Sequence, residues 1–245
     1  MISKVKKGNN MNILILGGTG AMGKHLVEIL KDTDNQVTVT SRSVQPNSRN
    51  VSYVKGNAHD SDFLGRLLQK HYDVIVDFMI YSTEEFGRRC QLLLNSCGQY
   101  VYISSSRVYA DSQNPITEDT PRLLDVSKDA EYLSTDEYAL AKARQEDLLR
   151  ESGKRNYTIV RPYITYSETR LQLGELEKER WLYRALHGRS IVFSRDIANK
   201  TTTLTYGHNV SEGIAALLGQ PGALGNAYHI TANGSITWNE VLNIY

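Results

Sequence analysis

Cysteine is scarce: the 245-residue chain has two, Cys90 and Cys97. Both fall in one helical pattern, with about 10 Å of helical rise between them, too far for a disulfide. Two buried thiols in a reducing cytoplasm are the expectation. No Cys/His cluster has metal-ligand spacing and the six histidines are scattered, so no metal site is expected. No apolar run reaches the roughly 18 residues of a membrane span. Met1–Asn10 is polar and basic without an apolar centre, which argues against a secretory signal. Residues 1–10 read as a disordered extension, with Met11 an alternative start. Neither charge sign dominates, with 28 Lys and Arg against 27 Asp and Glu and a net charge of +1. Nucleic acid and anionic membrane therefore have no electrostatic support as partners. Nothing repeats internally. A hydrophobic content of 40% is enough for one large α/β domain, alone or with a small lobe.

The most informative segment is Asn12-Ile13-Leu14-Ile15-Leu16-Gly17-Gly18-Thr19-Gly20-Ala21-Met22-Gly23. A short apolar run reads as a buried strand. It breaks into a glycine turn and continues as a helical pattern, Lys24–Leu30. A strand, a glycine turn and a helix N-terminus make an anion cradle, because backbone N–H groups converge where the helix dipole adds positive charge. Gly17 permits the tight turn, Gly20 lets a pyrophosphate approach the backbone, and Gly23 lets helix and strand pack closely.

Further strands are expected at Gln36–Thr40, Val51–Lys55, Val74–Phe78, Tyr100–Ser104 and Tyr157–Arg161. Helices are expected at Ser61–His71, Thr83–Ser96 and Thr135–Ser152. Strands separated by helices predict an α/β fold with a doubly wound parallel sheet of Rossmann type and a crevice at the strands' C-terminal ends. Beyond Pro162 the pattern loosens. It suggests a helix at Gly174–Leu186, short strands at Ile191–Phe193, Thr202–Tyr206 and Tyr228–Ile230, and a helix at Val210–Leu218. A last helix opens near Thr237 or Ser235. The expected division is a dinucleotide-binding domain over residues 11–165, with about 201–218 returning to it. Residues 166–245 are then a small, truncated C-terminal substrate lobe.

Two further motifs carry chemistry. Tyr138-Ala139-Leu140-Ala141-Lys142 puts a phenol and an ammonium one helical turn apart on one face. A nearby ammonium is expected to pull a phenol down from its usual pKa of about 10. Ser104-Ser105-Ser106-Arg107-Val108-Tyr109 puts hydroxyls at the C-terminal edge of the sheet, where a serine can donate to the oxygen that Tyr138 protonates or deprotonates.

The order of glycine turn, serine run and Tyr-x-x-x-Lys, with G-x-x-G-x-x-G spacing, resembles the extended short-chain dehydrogenase/reductases, the NAD-dependent epimerase/dehydratase family. The resemblance implies Ser105, Tyr138 and Lys142 as the catalytic set, with Ser106 as the fallback serine. Ser106, Arg107 and Tyr163 join Ser105 at the substrate. For the cofactor it implies Gly17, Gly18, Thr19, Gly20, Ala21, Met22 and Gly23 at the phosphates. Ser41, Arg42, Asn57 and Ala58 fall around the adenosine. Phe78, Met79, Ile80, Ser104, Tyr138, Lys142 and Pro162 fall towards the nicotinamide side. Ile236-Thr237-Trp238-Asn239-Glu240-Val241 resembles a segment late in the family's C-terminal lobe, which supports truncation.

Departures from the family pattern are informative. The second strand ends in Thr38-Val39-Thr40-Ser41-Arg42-Ser43, without the acid that holds the ribose in NAD-preferring members. Arg42 can pair with a 2′-phosphate, which favours NADP over NAD. Ser106 and Arg107 stand where sugar-nucleotide 4,6-dehydratases carry Asp-Glu, so dehydration is not expected. Arg170, Arg180 and Arg184 are candidate partners for a substrate diphosphate. The resemblance thus implies a cytoplasmic NAD(P)-dependent oxidoreductase or epimerase. It would act on a sugar nucleotide by hydride transfer with Ser-Tyr-Lys acid–base chemistry, and a homodimer would form through the helices at 83–96 and 135–152. An NADPH-dependent reductase of a small carbonyl compound and a non-catalytic dinucleotide-binding regulator are the alternatives.

Overall fold

A computed structural model describes residues 10–245, so the expected extension at 1–10 lies, Asn10 apart, outside the described residues. The strands are β1 (Asn12–Leu16), β2 (Gln36–Ser41), β3 (Val51–Lys55), β4 (Tyr72–Asp77), β5 (Cys97–Ile103) and β6 (Tyr157–Pro162). The short pairs β7 (Thr165–Tyr166), β8 (Gln172–Leu173), β9 (Leu176–Glu177), β10 (Thr201–Thr202) and β11 (Thr205–Tyr206) follow, then β12 (Asn226–Ile230) and β13 (Ile236–Thr237). The helices are α1 (Gly23–Lys31), α2 (Ser61–Leu67), α3 (Thr83–Asn95), α4 (Leu123–Val126) and α5 (Ala130–Ser134). They continue with α6 (Tyr138–Arg150), α7 (Lys178–Leu186), α8 (Arg195–Ala198), α9 (Gly207–Leu217) and α10 (Trp238–Ile244).

Seven strands form one sheet in the order β3-β2-β1-β4-β5-β6-β12, parallel throughout. The strand order reverses between β1 and β4, which opens a crevice at their C-terminal ends. Alternation along β1 explains the two-faced burial. Leu14 and Leu16 pack with residues of α2, α3 and α6, whereas Ile13 and Ile15 pack with α1 and α9. Burial on both faces is what lets strands this apolar sit at the centre of a parallel sheet. A separate cluster around Leu173, Trp181, Trp238 and Val241 holds the C-terminal segments together.

Several boundaries differ from expectation. α2 stops at Leu67, short of His71, and α6 begins at Tyr138 because Asp136 and Glu137 precede it, with the Glu137 side chain capping the Ala139 N–H. Cys97 opens β5 rather than continuing α3; it and Cys90 are buried free thiols, raised by burial to about 12 and about 11. Residues 174–177 are not helical. Gly174, at φ +58°, turns β8 back onto antiparallel β9, a backbone conformation that L side chains resist. Ile191–Phe193 forms no strand, and Thr202–Tyr206 splits into β10 and β11, which pair with β13 and β7. β12 returns to the central sheet beside β6, so a segment expected in the C-terminal lobe forms the sheet edge. Thr237 caps α10 in a capping box with Glu240. Among the described residues no helix is long and apolar enough to cross a membrane.

Candidate active site

The glycine turn joins β1 to α1 at the reversal point. Gly17 has φ +71°, and its N–H donates to Thr40 Oγ1 at 3.0 Å. A Cβ on Gly23 would stand 2.7 Å from Gly18 Cα, so the helix start and the turn touch backbone to backbone. The N–H groups of Thr19, Gly20, Ala21 and Met22 donate to no protein acceptor among the described residues. The donors of the turn leading into α1 are thus free for an anion, while Lys24 N and Leu26 N within the first turn of α1 donate to Gly20 O and Met22 O at 3.1 Å. Lys24 Nζ lies 3.0 Å from Glu168 Oε2, and Tyr206 OH donates to the same carboxylate. This clasp between α1, the 167–170 loop and the start of α9 was not legible in the sequence.

The other expected cofactor positions follow the strand ends. Ser41 is buried at the end of β2, and its Oγ accepts from Ser43 N at 3.2 Å; Arg42 beside it is exposed. Past β3, Asn57 Oδ1 accepts from His59 N at 3.1 Å and Ala58 is buried. Arg89 of α3 pins this loop, donating to Ala58 O at 3.1 Å and His59 O at 3.3 Å. Past β4, Phe78 and Met79 are half-buried and Ile80 is exposed. Met79 packs on Gly17, its sulfur 3.0 Å from where a Cβ would be. Pro162 ends β6, and Tyr163 follows, half-buried.

The three serines after β5 are sorted by their partners. Ser104 Oγ donates to Glu146 Oε1 at 2.7 Å, and Ser106 Oγ donates to Arg161 O at 3.0 Å. Ser105 instead caps the 3₁₀ turn Ser106–Val108, accepting from Arg107 N at 3.2 Å, and it stands near enough to Tyr138 to favour the ionised phenol. Tyr138 opens α6 and keeps 36% of its surface exposed, while Lys142 one turn later is 2% exposed. The structure therefore brings Ser105, Tyr138 and Lys142 to one place at the C-terminal end of β5. Arg180 and Arg184 stand apart, exposed on α7, where Arg184 donates to Ser190 O at 2.8 Å.

The expected titration of the phenol is corrected. Burial raises the Tyr138 pKa above the ordinary tyrosine value; the Ser105 hydroxyl and the charges of Arg107 and Arg170 oppose it without winning. Lys142 is not what pulls on the phenol. Its ammonium lies 6.0 Å from the Tyr138 ring centroid, 4.7 Å from that of Tyr102, and donates to Ile103 O at 2.8 Å. Burial lowers its own pKa to about 8, with Asp77 and Glu146 opposing.

Beneath Lys142 lies a polar core that sequence reasoning missed. Asp77, 1% exposed, accepts from Tyr100 OH at 2.8 Å, from Tyr81 OH at 3.1 Å and from Met79 N at 2.9 Å. Burial raises its pKa all the same. Tyr102 OH donates to Gln145 Oε1 at 2.7 Å. Glu146, fully buried, takes both arms of the Arg161 guanidinium, at 2.8 and 2.6 Å. An acid at the end of an apolar strand was the available signal for Asp77; the partners of Glu146 come from distant segments and left none.

The NAD(P)H-binding family pattern matches residues 17–178, well over half of the chain. The chain belongs to the NAD(P)H-binding family. Among solved structures this NAD(P)H-binding protein is similar to an epimerase from the thermophilic pseudomurein-containing methanogen Methanothermobacter thermautotrophicus. That structure is 18% identical with a TM-score of 0.78, covering 96% of this chain and 76% of that one. It is also similar to UDP-glucuronic acid 4-epimerase from Bacillus cereus in complex with NAD, 18% identical with a TM-score of 0.74, covering 96% of this chain and 81% of that one. At such identities the likeness establishes the fold alone. The chloroplast stem-loop binding protein of 41 kDa b from Arabidopsis thaliana is 27% identical over 206 residues, which are 76% of this chain and 50% of that protein. The chain thus spans half the length of that relative.

The turn fits a dinucleotide. The N–H groups of Thr19 to Met22 have no protein acceptor among the described residues, and a Cβ on Gly20 would meet nothing nearer than Gly17 O at 4.0 Å, so the backbone there is open to a pyrophosphate.

Proposed function

We propose that this protein is an NAD(P)-dependent oxidoreductase or epimerase acting on a sugar nucleotide. The observation that carries the reading is the convergence of Ser105, Tyr138 and Lys142 beside the glycine turn, at the end of the sheet where a bound dinucleotide would extend its reactive ring. The cofactor, when bound, accepts and returns the hydride. Residues 17–23 would hold its phosphates, and Arg42, with Ser41 and Ser43, would favour a 2′-phosphate and hence NADP. Tyr138 takes or gives the proton of the substrate hydroxyl, and Ser105 holds that oxygen by a hydrogen bond. Lys142, one turn after Tyr138, would donate to the cofactor ribose. The phenol starts above its ordinary pKa, so it stands as the neutral acid, with the Ser105 hydroxyl and the charges of Arg107 and Arg170 favouring loss of its proton. Sugar nucleotide as the substrate class is taken from structural neighbours such as the Bacillus cereus UDP-glucuronic acid 4-epimerase.

The test is direct. Purified protein is titrated with NAD and NADP, with melting temperature as the readout, and then assayed for product formation with a panel of UDP- and dTDP-sugars. Wild type is expected to bind at least one nucleotide and to turn over at least one sugar nucleotide. Tyr138→Phe is expected to bind the cofactor normally and to lose about 10²- to 10⁴-fold in rate, the usual contribution of a positioned acid–base group. Failure to bind either nucleotide, or full activity in Tyr138→Phe, would overturn the reading.

A further inference from the structure

Arg107 occupies the position two residues after Ser105, and its guanidinium carbon lies 5.7 Å from the centroid of the Tyr138 ring. Its side chain is 59% exposed. Among the described residues it makes one side-chain hydrogen bond, from Nη2 to Glu137 Oε1 at 3.2 Å. An arginine carries five N–H donors, so most of its capacity is unused. Glu137 does not need it. The other carboxylate oxygen accepts from Tyr132 OH at 3.0 Å and from Ala139 N at 2.8 Å. Glu137 therefore stays in place as the cap of α6 when Arg107 turns to another acceptor.

The remaining arginines near the sheet's C-terminal edge are differently placed. Arg161 is buried in its fork with Glu146, Arg122 is held by Asp125 and Asp147, and Arg89 is held by Glu85 and two carbonyls. Their donors are committed to the fold. Arg170, in the loop between β7 and β8, pairs with Glu177 at 2.7 Å, and its charge also reaches the Tyr138 phenol. The reacting oxygen thus lies in the field of two guanidinium groups, one of them largely free.

With its guanidinium carbon 5.7 Å from the Tyr138 ring centroid, Arg107 borders the place where a reacting substrate oxygen must come within about 3 Å of the phenol. A planar guanidinium with a free edge matches a carboxylate with two parallel hydrogen bonds. We propose that Arg107 recognises a carboxylate carried on the substrate one or two bonds from the reacting carbon, so that the substrate is a sugar acid rather than a neutral sugar. The inference rests on the oxidoreductase or epimerase reading above and specifies its substrate class.

The experiment compares UDP-glucuronic acid with UDP-glucose, which share base, ribose and diphosphate and differ by the carboxylate. The readouts are kcat/KM for each and, independently of turnover, the melting-temperature shift each produces with cofactor present. The proteins are wild type, Arg107→Ala, Arg107→Lys and Tyr138→Phe. Wild type is expected to favour the acid at least tenfold. Arg107→Ala is expected to lower the acid-to-neutral ratio at least tenfold, chiefly through KM, and to lose the acid's extra thermal shift. Arg107→Lys, which keeps the charge without the fork, is expected to recover part of it. Arg107 is exposed, so its variants should melt like wild type without ligand. Tyr138→Phe should lose turnover of both sugars and keep the thermal preference for the acid. An unchanged ratio and thermal shift in Arg107→Ala, or equal use of both sugars by wild type, overturns the inference and leaves the acid–base reading standing. Absence of turnover and of any shift with either sugar overturns the sugar-nucleotide reading and the inference with it.

Discussion

The ammonium of Lys142 donates to the carbonyl oxygen of Ile103 at 2.8 Å, so the lysine below Tyr138 also ties α6 to the end of β5. Burial lowers its pKa from 10.5 to about 8. A charge that the unfolded chain keeps in water is thus held at a disadvantage in the fold, by roughly 3 kcal/mol at neutral pH. Because the folded-state value is the lower one, the cost is fully present below about pH 8 and fades as pH rises towards 10.5. Stability from this group therefore increases across that window. Lys142→Met is expected to keep or raise the melting temperature at pH 7 and to abolish turnover. The advantage over wild type should shrink above pH 8. A fall of more than about 5 °C at pH 7 would mean that the Ile103 bond outweighs the burial cost.

Glu146 carries the opposite dependence. Burial pushes its pKa up, but the hydrogen bonds and charge of Arg161, with Ser104 and Arg150, hold it below the ordinary carboxylate value. Its contribution is present above the ordinary glutamate range and is lost as pH falls through the depressed folded value. Glu146→Gln leaves the Arg161 guanidinium buried without its counter-charge, and the expected loss in urea unfolding at pH 7 is about 3–5 kcal/mol. The gap to wild type should narrow in acid. A loss under about 1 kcal/mol at pH 7 would show that water or Tyr109 satisfies Arg161 unaided.

Gly23→Ala tests the close approach at the cradle. The added methyl would sit 2.7 Å from Gly18 Cα and 2.8 Å from the Gly18 carbonyl carbon, both backbone atoms that cannot rotate away. α1 must shift, at an expected cost of about 1–3 kcal/mol, and the first-turn N–H groups move with it. Melting temperature and affinity for NAD(P) should fall together, the affinity at least tenfold. Retention of wild-type affinity would show that the anion is held elsewhere.

Arg42 tests the preference between the two cofactors. It is exposed just past the end of β2, with no acid beside it at the strand end. Arg42→Ala is expected to weaken NADP about tenfold or more by isothermal titration and to change NAD much less. Equal loss for both nucleotides, or loss for neither, would remove the argument for NADP preference.

Much of the architecture was legible because the relevant forces are local. The apolar run Ile13–Leu16, the glycines at 17, 20 and 23, and the β2, β3 and β5 segments announced strands and a turn whose pairing follows from right-handed crossovers. The ends of α2 and α6, the hairpin at Gly174 and the place of β12 were not announced. They depend on which distant element covers each backbone group. The serine run shows the same division. Three consecutive hydroxyls look alike in sequence, and only Glu146 and the Arg161 carbonyl, 42 and 55 residues from their partners, single out Ser105 by engaging the other two.

The order of the chain's short-range signals was by itself enough to determine a nucleotide-binding sheet and to put a phenol and an amine on one helical face, since helix and strand periodicity bind those positions together. Which groups hold their protons was decided by packing. Desolvation depends on everything that surrounds a side chain, and it lifted the Tyr138 phenol and lowered the Lys142 amine, opposite to what their spacing alone had implied for the phenol.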